Sequence, residues 1–293
     1  MRSSLQIGQL HQVRRIFSQA DFDRFAALSG DYNPIHVDPG YAAQTAFGRP
    51  VAHGMFLYSV ICAELNQLLP GVIQLEQEMM FTSPTYAGEE VVIQLRVTGV
   101  WPAEAFAELE TAIIKPDGTR GFEGRTVVRL DQAPASSRQL TVSAPIGAAK
   151  SDSFKGLAVG QRAETRRTFT EADLAAYASL TGDTNPIYSD VTAAQRAGFA
   201  RPVVPGGLLG GLFSQVLGTK LPGPGTNWLK QRLAFPAWAY PGEAITAAVE
   251  IIRLRPEKAL VNLRTTCTNP AGETVCAGEA LVLAKNAVPQ GIM

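Results

Sequence analysis

The chain contains itself twice. Set against the residue 152 positions later, Phe17, Asp21, Leu28, Gly30, Asp31, Asn33, Pro34, Ile35 and Asp38 meet Phe169, Asp173, Leu180, Gly182, Asp183, Asn185, Pro186, Ile187 and Asp190. Phe47, Arg49, Pro50, Val51 and Gly54 likewise meet Phe199, Arg201, Pro202, Val203 and Gly206, and Leu69-Pro70-Gly71 meets Leu221-Pro222-Gly223. Beyond that point the offset becomes 154, with Phe81, Tyr86, Gly88 and Glu89 facing Phe235, Tyr240, Gly242 and Glu243, so one loop carries a two-residue insertion. Self-similarity at a fixed offset means one structural unit built twice. The stretch 131–153, rich in Ala, Ser and Pro and without sustained period, reads as the linker between repeats at 1–130 and 154–293.

Each copy runs through the same elements. Ser18 and Thr170 stand as N-caps three residues before Asp21 and Asp173, and Gly30 and Gly182 close the helices that follow. After a loop rich in Gly, Pro, Asn and Asp, a second helix is expected at about 55–69 and 207–221. In the second copy Leu208, Leu209, Leu212, Phe213, Val216 and Leu217 lie at helical spacing, and in the first apolar residues surround the helix, as in a buried one. The remainder is β-rich, at 91–97, 105–114 and 121–130, with Pro116-Asp117-Gly118 as a turn. One long buried helix followed by antiparallel strands able to wrap it implies an α+β architecture.

Composition removes several classes of function. Lys+Arg and Asp+Glu both number 26, so nothing electrostatic points to nucleic acid or an anionic membrane surface. Three scattered cysteines, Cys62, Cys267 and Cys276, suit neither a disulfide scaffold nor a zinc cage and fit a reducing compartment. The most apolar stretch, 202–218, is interrupted by Gly206, Gly207, Gly210 and Gly211 and is too short to span a bilayer. With no recognisable targeting segment, the expectation is a cytoplasmic protein.

Chemistry concentrates in Gly30-Asp31-Tyr32-Asn33-Pro34-Ile35-His36 and Arg49-Pro50-Val51-Ala52-His53-Gly54-Met55. A carboxylate and an imidazole five residues apart, on a loop stiffened by Pro34, can hold one water from two sides and move its protons. At the His53-Gly54 step a helix begins, and a backbone N–H with no side chain beside it can receive an oxyanion. Taken alone, Asp31 in a Gly-Asp-x-Asn-Pro turn serves as well for holding the loop.

These two segments, with Asp38, Phe47 and the later Tyr86-x-Gly88-Glu89, resemble the MaoC-like (R)-specific enoyl-CoA hydratases, and the duplication resembles their tandem double-hotdog form. The resemblance covers nearly the whole chain apart from the linker. It implies two hotdog repeats, each an antiparallel sheet wrapped around a long central helix, joined as a pseudo-dimer. It implies reversible hydration of a trans-2-enoyl-CoA to an (R)-3-hydroxyacyl-CoA. Asp31 and His36 would activate the water, the Gly54 N–H would hold the thioester oxygen, and Asn33, Pro34 and His53 would support the loop. CoA would be part of the substrate, with no metal or separate cofactor. A branched, dicarboxylic or carrier-protein-bound enoyl thioester is the alternative substrate. A hotdog thioesterase or a non-catalytic acyl-binding protein is the alternative class. A homodimer of the pseudo-dimeric chain is compatible with this reading.

The second copy departs where the chemistry lies. Tyr188 replaces the counterpart of His36 and Pro205 that of His53, so all three histidines, His11, His36 and His53, fall in the first half. One active site per chain is expected, with the second repeat completing the sheet and part of the CoA cleft. Structural roles are expected for Arg49 and Arg201 (ion pairs), Tyr86 and Tyr240 (strand-end packing) and Cys62 (apolar filler). Lys230 and Arg232 are expected on a solvated strand face rather than on CoA phosphates. For Trp228, Phe235 and Trp238 core packing is the default and an acyl-tunnel wall the alternative.

Overall fold

The computed structural model describes residues 5–130 and 153–285; the expected linker lies outside them except for Ser153. The first repeat runs β1 (Leu10–Ile16), α1 (Gln19–Ser29), α2 (Pro34–Val37), α3 (Pro39–Ala42), α4 (Gly54–Leu68), β2 (Ile73–Phe81), β3 (Glu90–Trp101), β4 (Phe106–Ile114) and β5 (Arg120–Arg129). A small hairpin, β6 (Ser153–Phe154) and β7 (Leu157–Ala158), opens the second. There follow β8 (Arg162–Thr168), α5 (Glu171–Thr181), α6 (Val191–Arg196), α7 (Gly206–Thr219), β9 (Asn227–Ala234), β10 (Ala244–Arg255), β11 (Leu260–Thr268) and β12 (Thr274–Leu283).

The local signals act as read. Ser18 and Thr170 form capping boxes with Asp21 and Asp173, and α1 and α5 end at Gly30 and Gly182 in the left-handed region, φ 77° and 85°. Strands β1 and β8 escape a sequence reading. Both are charge-rich edge strands (LHQVRRI and RAETRRT) with no apolar alternation to reveal them.

All ten long strands form one antiparallel sheet in the order β1-β3-β4-β5-β2-β9-β12-β11-β10-β8, so the repeats join through β2 and β9. The register sets Glu78 opposite Arg232, which is its own counterpart in the second repeat. Two identical copies would place like charges together at this axis. Here Arg232 pairs with Glu76 at 3.3 Å and lies 3.9 Å from Glu78. Arg232 therefore fastens the junction instead of standing on a solvated face.

The sheet wraps α4 and α7, which pack against each other in a core continuous between the repeats. Helix α7 carries glycines that each cost a helix interior roughly 1 kcal/mol relative to alanine. Their use is close approach: a Cβ on Gly207 would stand 2.3 Å from Ser59 Oγ, and one on Gly210 2.6 Å from Met55 Sδ. Among the described residues no helix is long and apolar enough to cross a membrane.

Candidate active site

The loop after α1 is built by its own side chains. Ser29 Oγ donates to Phe25 O and accepts from Asp31 N–H, Asp31 Oδ1 accepts from Asn33 N–H at 3.1 Å, and Asn33 Oδ1 caps Ile35 N–H at the start of α2. Pro34 takes the first position of that helix, where its missing N–H costs nothing. One carboxylate oxygen of Asp31 is thus spent on the turn, which leaves Oδ2 for other work.

Oδ2 accepts a hydrogen bond from Ser214 Oγ on α7 at 2.5 Å and lies 3.9 Å from His36 Nε2. His36 Nδ1–H donates to Val51 O at 2.8 Å, so in the neutral ring Nε2 is the nitrogen with a lone pair, and it faces Asp31. Burial depresses the His36 pKa, against the pull of Asp31 and the Val51 carbonyl, and so favours the neutral ring. The Asp31–His36 gap is too long for a direct hydrogen bond and short enough for one water to touch both.

His53 braces this pair. Its Nε2–H donates to Asp31 O at 3.0 Å, and its ring stacks on His36 with centroids 3.8 Å apart and planes 27° from parallel. Burial, then repulsion from His36, holds its pKa well below the ordinary value. Ligand atoms of Asp31, His36 and His53 lie within 4.8 Å of one another. Stacked imidazoles, however, carry their lone pairs in nearly parallel planes and cannot aim them at one ion while each also donates to a carbonyl.

Gly54 opens α4, so its N–H belongs to the first turn, whose N–H groups have no partner within the helix. A Cβ there would lie 2.5 Å from the Phe81 ring, which would have to shift to admit it. Asp31, His36 and Gly54 line a cleft of about 870 Å³ including its open mouth. The opposite wall comes from the second repeat: Ser214, Leu217, Gly218, Thr226 and Trp228. No lysine or arginine is among the lining residues.

The second copy keeps the loop and lacks both histidines. Asp183 Oδ1 accepts from Asn185 N–H just as Asp31 does from Asn33, but Oδ2 is buried with no partner among the described residues. Burial pushes the Asp183 carboxyl up to about 7, moderated by the Asn185 N–H and by Tyr188, which faces it without completing a hydrogen bond of normal geometry. The nearby cavity, about 380 Å³, is lined by Gln74, Tyr188, Phe235 and Trp238 and does not reach Asp183. Helix α4 places Tyr58 where α7 has Gly210, and Tyr58 donates to Gln74.

The structure brings together Asp31, Asn33, Pro34, His36, His53 and Gly54 as the sequence expects. Arg49 pairs with Glu89 over the Tyr86 ring, and Arg201 with Glu243 over Tyr240. Trp228 belongs to the cleft wall, tilted against Phe81, whereas Phe235 is core and Trp238 packs on Phe199. Ser214, Gly218 and Thr226 were not legible as site residues, because they come from the copy that lacks the histidine. Their signal lies in the repeat itself, where the counterparts are Cys62, Asn66 and Val72.

Fold and repeat order define a double hotdog. The chain belongs to the MaoC-like domain family, whose profile matches residues 4–113 and 155–269. It is similar to the (R)-specific enoyl-CoA hydratase of Aeromonas caviae, 41% identical over 129 residues that cover 43% of this chain and 96% of that protein. The enzyme of the same name from Rhodospirillum rubrum is 42% identical over 130 residues, 44% of this chain and 90% of its own. Among solved structures, a Mycobacterium tuberculosis protein described as a double hotdog matches with TM-score 0.72 and 16% identity, covering 95% of this chain and 96% of that one. That last likeness concerns the fold alone.

Proposed function

We propose that this chain is a lyase that adds water across the double bond of a trans-2-enoyl-CoA to give an (R)-3-hydroxyacyl-CoA, and catalyses the reverse dehydration. The reading is carried by the buried Asp31 Oδ2–His36 Nε2 pair, held 3.9 Å apart beside the Gly54 N–H. It is supported by the relatives of about one repeat in length, which carry the name (R)-specific enoyl-CoA hydratase.

A water between Asp31 and His36 gives its oxygen to C3 and a proton to the pair, while a proton from the pair goes to C2. The electron density that moves onto the thioester oxygen in between is received by the Gly54 N–H at the positive end of α4. The two groups share their protons, so base and acid are properties of the pair rather than of either residue. In this reading the reaction draws on no metal and no cofactor beyond the CoA of the substrate. The catalytic repeat is 1–130, and the repeat at 154–293 supplies Ser214 and the far wall, giving one site per chain. A dicarboxylic substrate is poorly served by a cleft without a lining cation.

The test is the loss of conjugated thioester absorbance when crotonyl-CoA or a longer trans-2-enoyl-CoA is added, with chiral analysis of the product. Hydration unaffected by a chelator and an R product are expected. Release of free CoA without hydration, or a mainly S product, would overturn the reading.

A further inference from the structure

Two residues that line the cleft, Thr85 and Thr226, carry buried hydroxyls with no hydrogen-bond partner among the described residues. An unpaired buried hydroxyl costs free energy and calls for an explanation. The counterpart of Thr85 in the other repeat is Ala239, which changes shape as well as chemistry, so Thr226 is the cleaner comparison. Its counterpart in the first repeat is Val72, which has nearly the same shape and no hydroxyl. Valine stands just before the start of the corresponding strand in the first repeat, after a loop two residues shorter, so that strand start does not itself require a hydroxyl.

The position of Thr226 says which part of a substrate it meets. Thr226 N–H donates to Gly223 O and Gly223 N–H to Leu217 O, so the residue is tied to the end of α7. There Gly218 stands against Asp31 and Asn33: a Cβ on it would be 3.1 Å from Asp31 Oδ1. With the thioester oxygen at Gly54 and C3 at Asp31 and His36, the chain from C4 onward continues past Asp31, away from Gly54. That leads it towards Leu217, Gly218 and Thr226. Neighbouring Asn227 also lines the cleft, and no lysine or arginine does. A hydroxyl and a carboxamide without a cation suit a neutral oxygen, not a carboxylate.

We infer that Thr226 is a specificity residue that hydrogen-bonds a neutral oxygen substituent, a hydroxyl or oxo group, on the acyl chain beyond C3. The inference rests on the hydratase reading and narrows its substrate class. A site built around a hydroxyl discriminates against the ligand that lacks its partner, since its own polar group is then left unpaired.

The experiment compares trans-2-hexenoyl-CoA with 5-hydroxy-trans-2-hexenoyl-CoA on the full chain and on Thr226→Val, the residue that the first repeat carries at this place. The wild type is expected to favour the hydroxylated substrate in kcat/KM. Thr226→Val is expected to lower kcat/KM for the hydroxylated substrate at least tenfold more than for the plain one, so that the ratio between the two substrates collapses. Equal losses on both substrates would mean that Thr226 holds the loop or an ordered water, and no loss on either that the hydroxyl is idle; each overturns the inference while leaving hydration intact. A wild-type chain that hydrates neither would instead remove the hydratase reading, and this inference with it.

Discussion

Asp31 and Asp183 sit in the same loop, behind the same left-handed glycine, and each gives one oxygen to the N–H of an asparagine two residues on. They part company at the second oxygen. Asp31 Oδ2 receives Ser214 and looks across 3.9 Å at His36, whereas Asp183 Oδ2 is buried with no donor of normal geometry among the described residues and faces Tyr188. The crossing is informative: Ser214 belongs to the second repeat and serves the first, and its counterpart Cys62 belongs to the first. Each site depends on the helix of the other copy. Losing one site and keeping the other therefore takes asymmetric changes in both repeats, such as Gly210 against Tyr58 and Gly218 against Asn66. A buried thiol is also a poor replacement for the serine, since Cys62 is buried and its pKa is raised well above the ordinary value.

The largest expected effect compares the two aspartates. Asp31→Asn and His36→Ala should each lower kcat for enoyl-CoA hydration by about a hundredfold or more, the range typical of lost acid–base catalysis. Asp183→Asn should stay within about threefold of the wild type. Initial rates on folded variants decide, and comparable losses at Asp31 and Asp183 would mean that both sites work.

The crossed helices come next. Ser214→Ala removes a charge-assisted hydrogen bond to Asp31, a contact worth roughly 1.5–3 kcal/mol, and should cost about tenfold or more in kcat. The counterpart change Cys62→Ser should leave kcat within about twofold, since Asp183 has no histidine to work with. Steady-state kinetics of the two variants would show whether the contribution is really crossed.

The last effect is read on stability rather than on rate and has an unexpected sign. On sequence alone, Asp183→Asn weakens a loop hydrogen bond and should destabilise. In the structure the carboxyl titrates at about 7 against an ordinary value of 3.8 because burial opposes its charge. Its raised pKa gives stability that is fully present below the unfolded value and is lost as pH rises through the folded one. At pH 8 the native state therefore bears a burden on the order of 2–4 kcal/mol. Asp183→Asn should be the more stable protein at pH 8, with the advantage shrinking towards pH 4. Urea melts at the two pH values would reveal a pH-independent difference if the burial argument were wrong.

Much of this protein was legible before its structure. Capping boxes, helix-closing glycines and the Gly-Asp-x-Asn-Pro turn act within a few residues of themselves, so a linear string records them fully. The duplication records the two-unit architecture for the same reason, and Tyr188 and Pro205 mark the copy that lacks the histidines. Edge strands β1 and β8 were not legible, since a charged, half-exposed strand has no apolar rhythm to display.

What the sequence by itself determined is the repeat, the double-hotdog class and the loop that carries Asp31, Asn33, Pro34 and His36. Only the tertiary structure decided which oxygen of Asp31 is free, that Ser214 completes it, that Arg232 fastens the junction at Glu76 and Glu78, and that Thr226 and Trp228 wall the cleft. The physical reason is distance along the chain. Asp31 and Ser214 are separated by 183 residues and meet because β2 pairs with β9 and α4 packs on α7, contacts made by whole elements and written in no local motif.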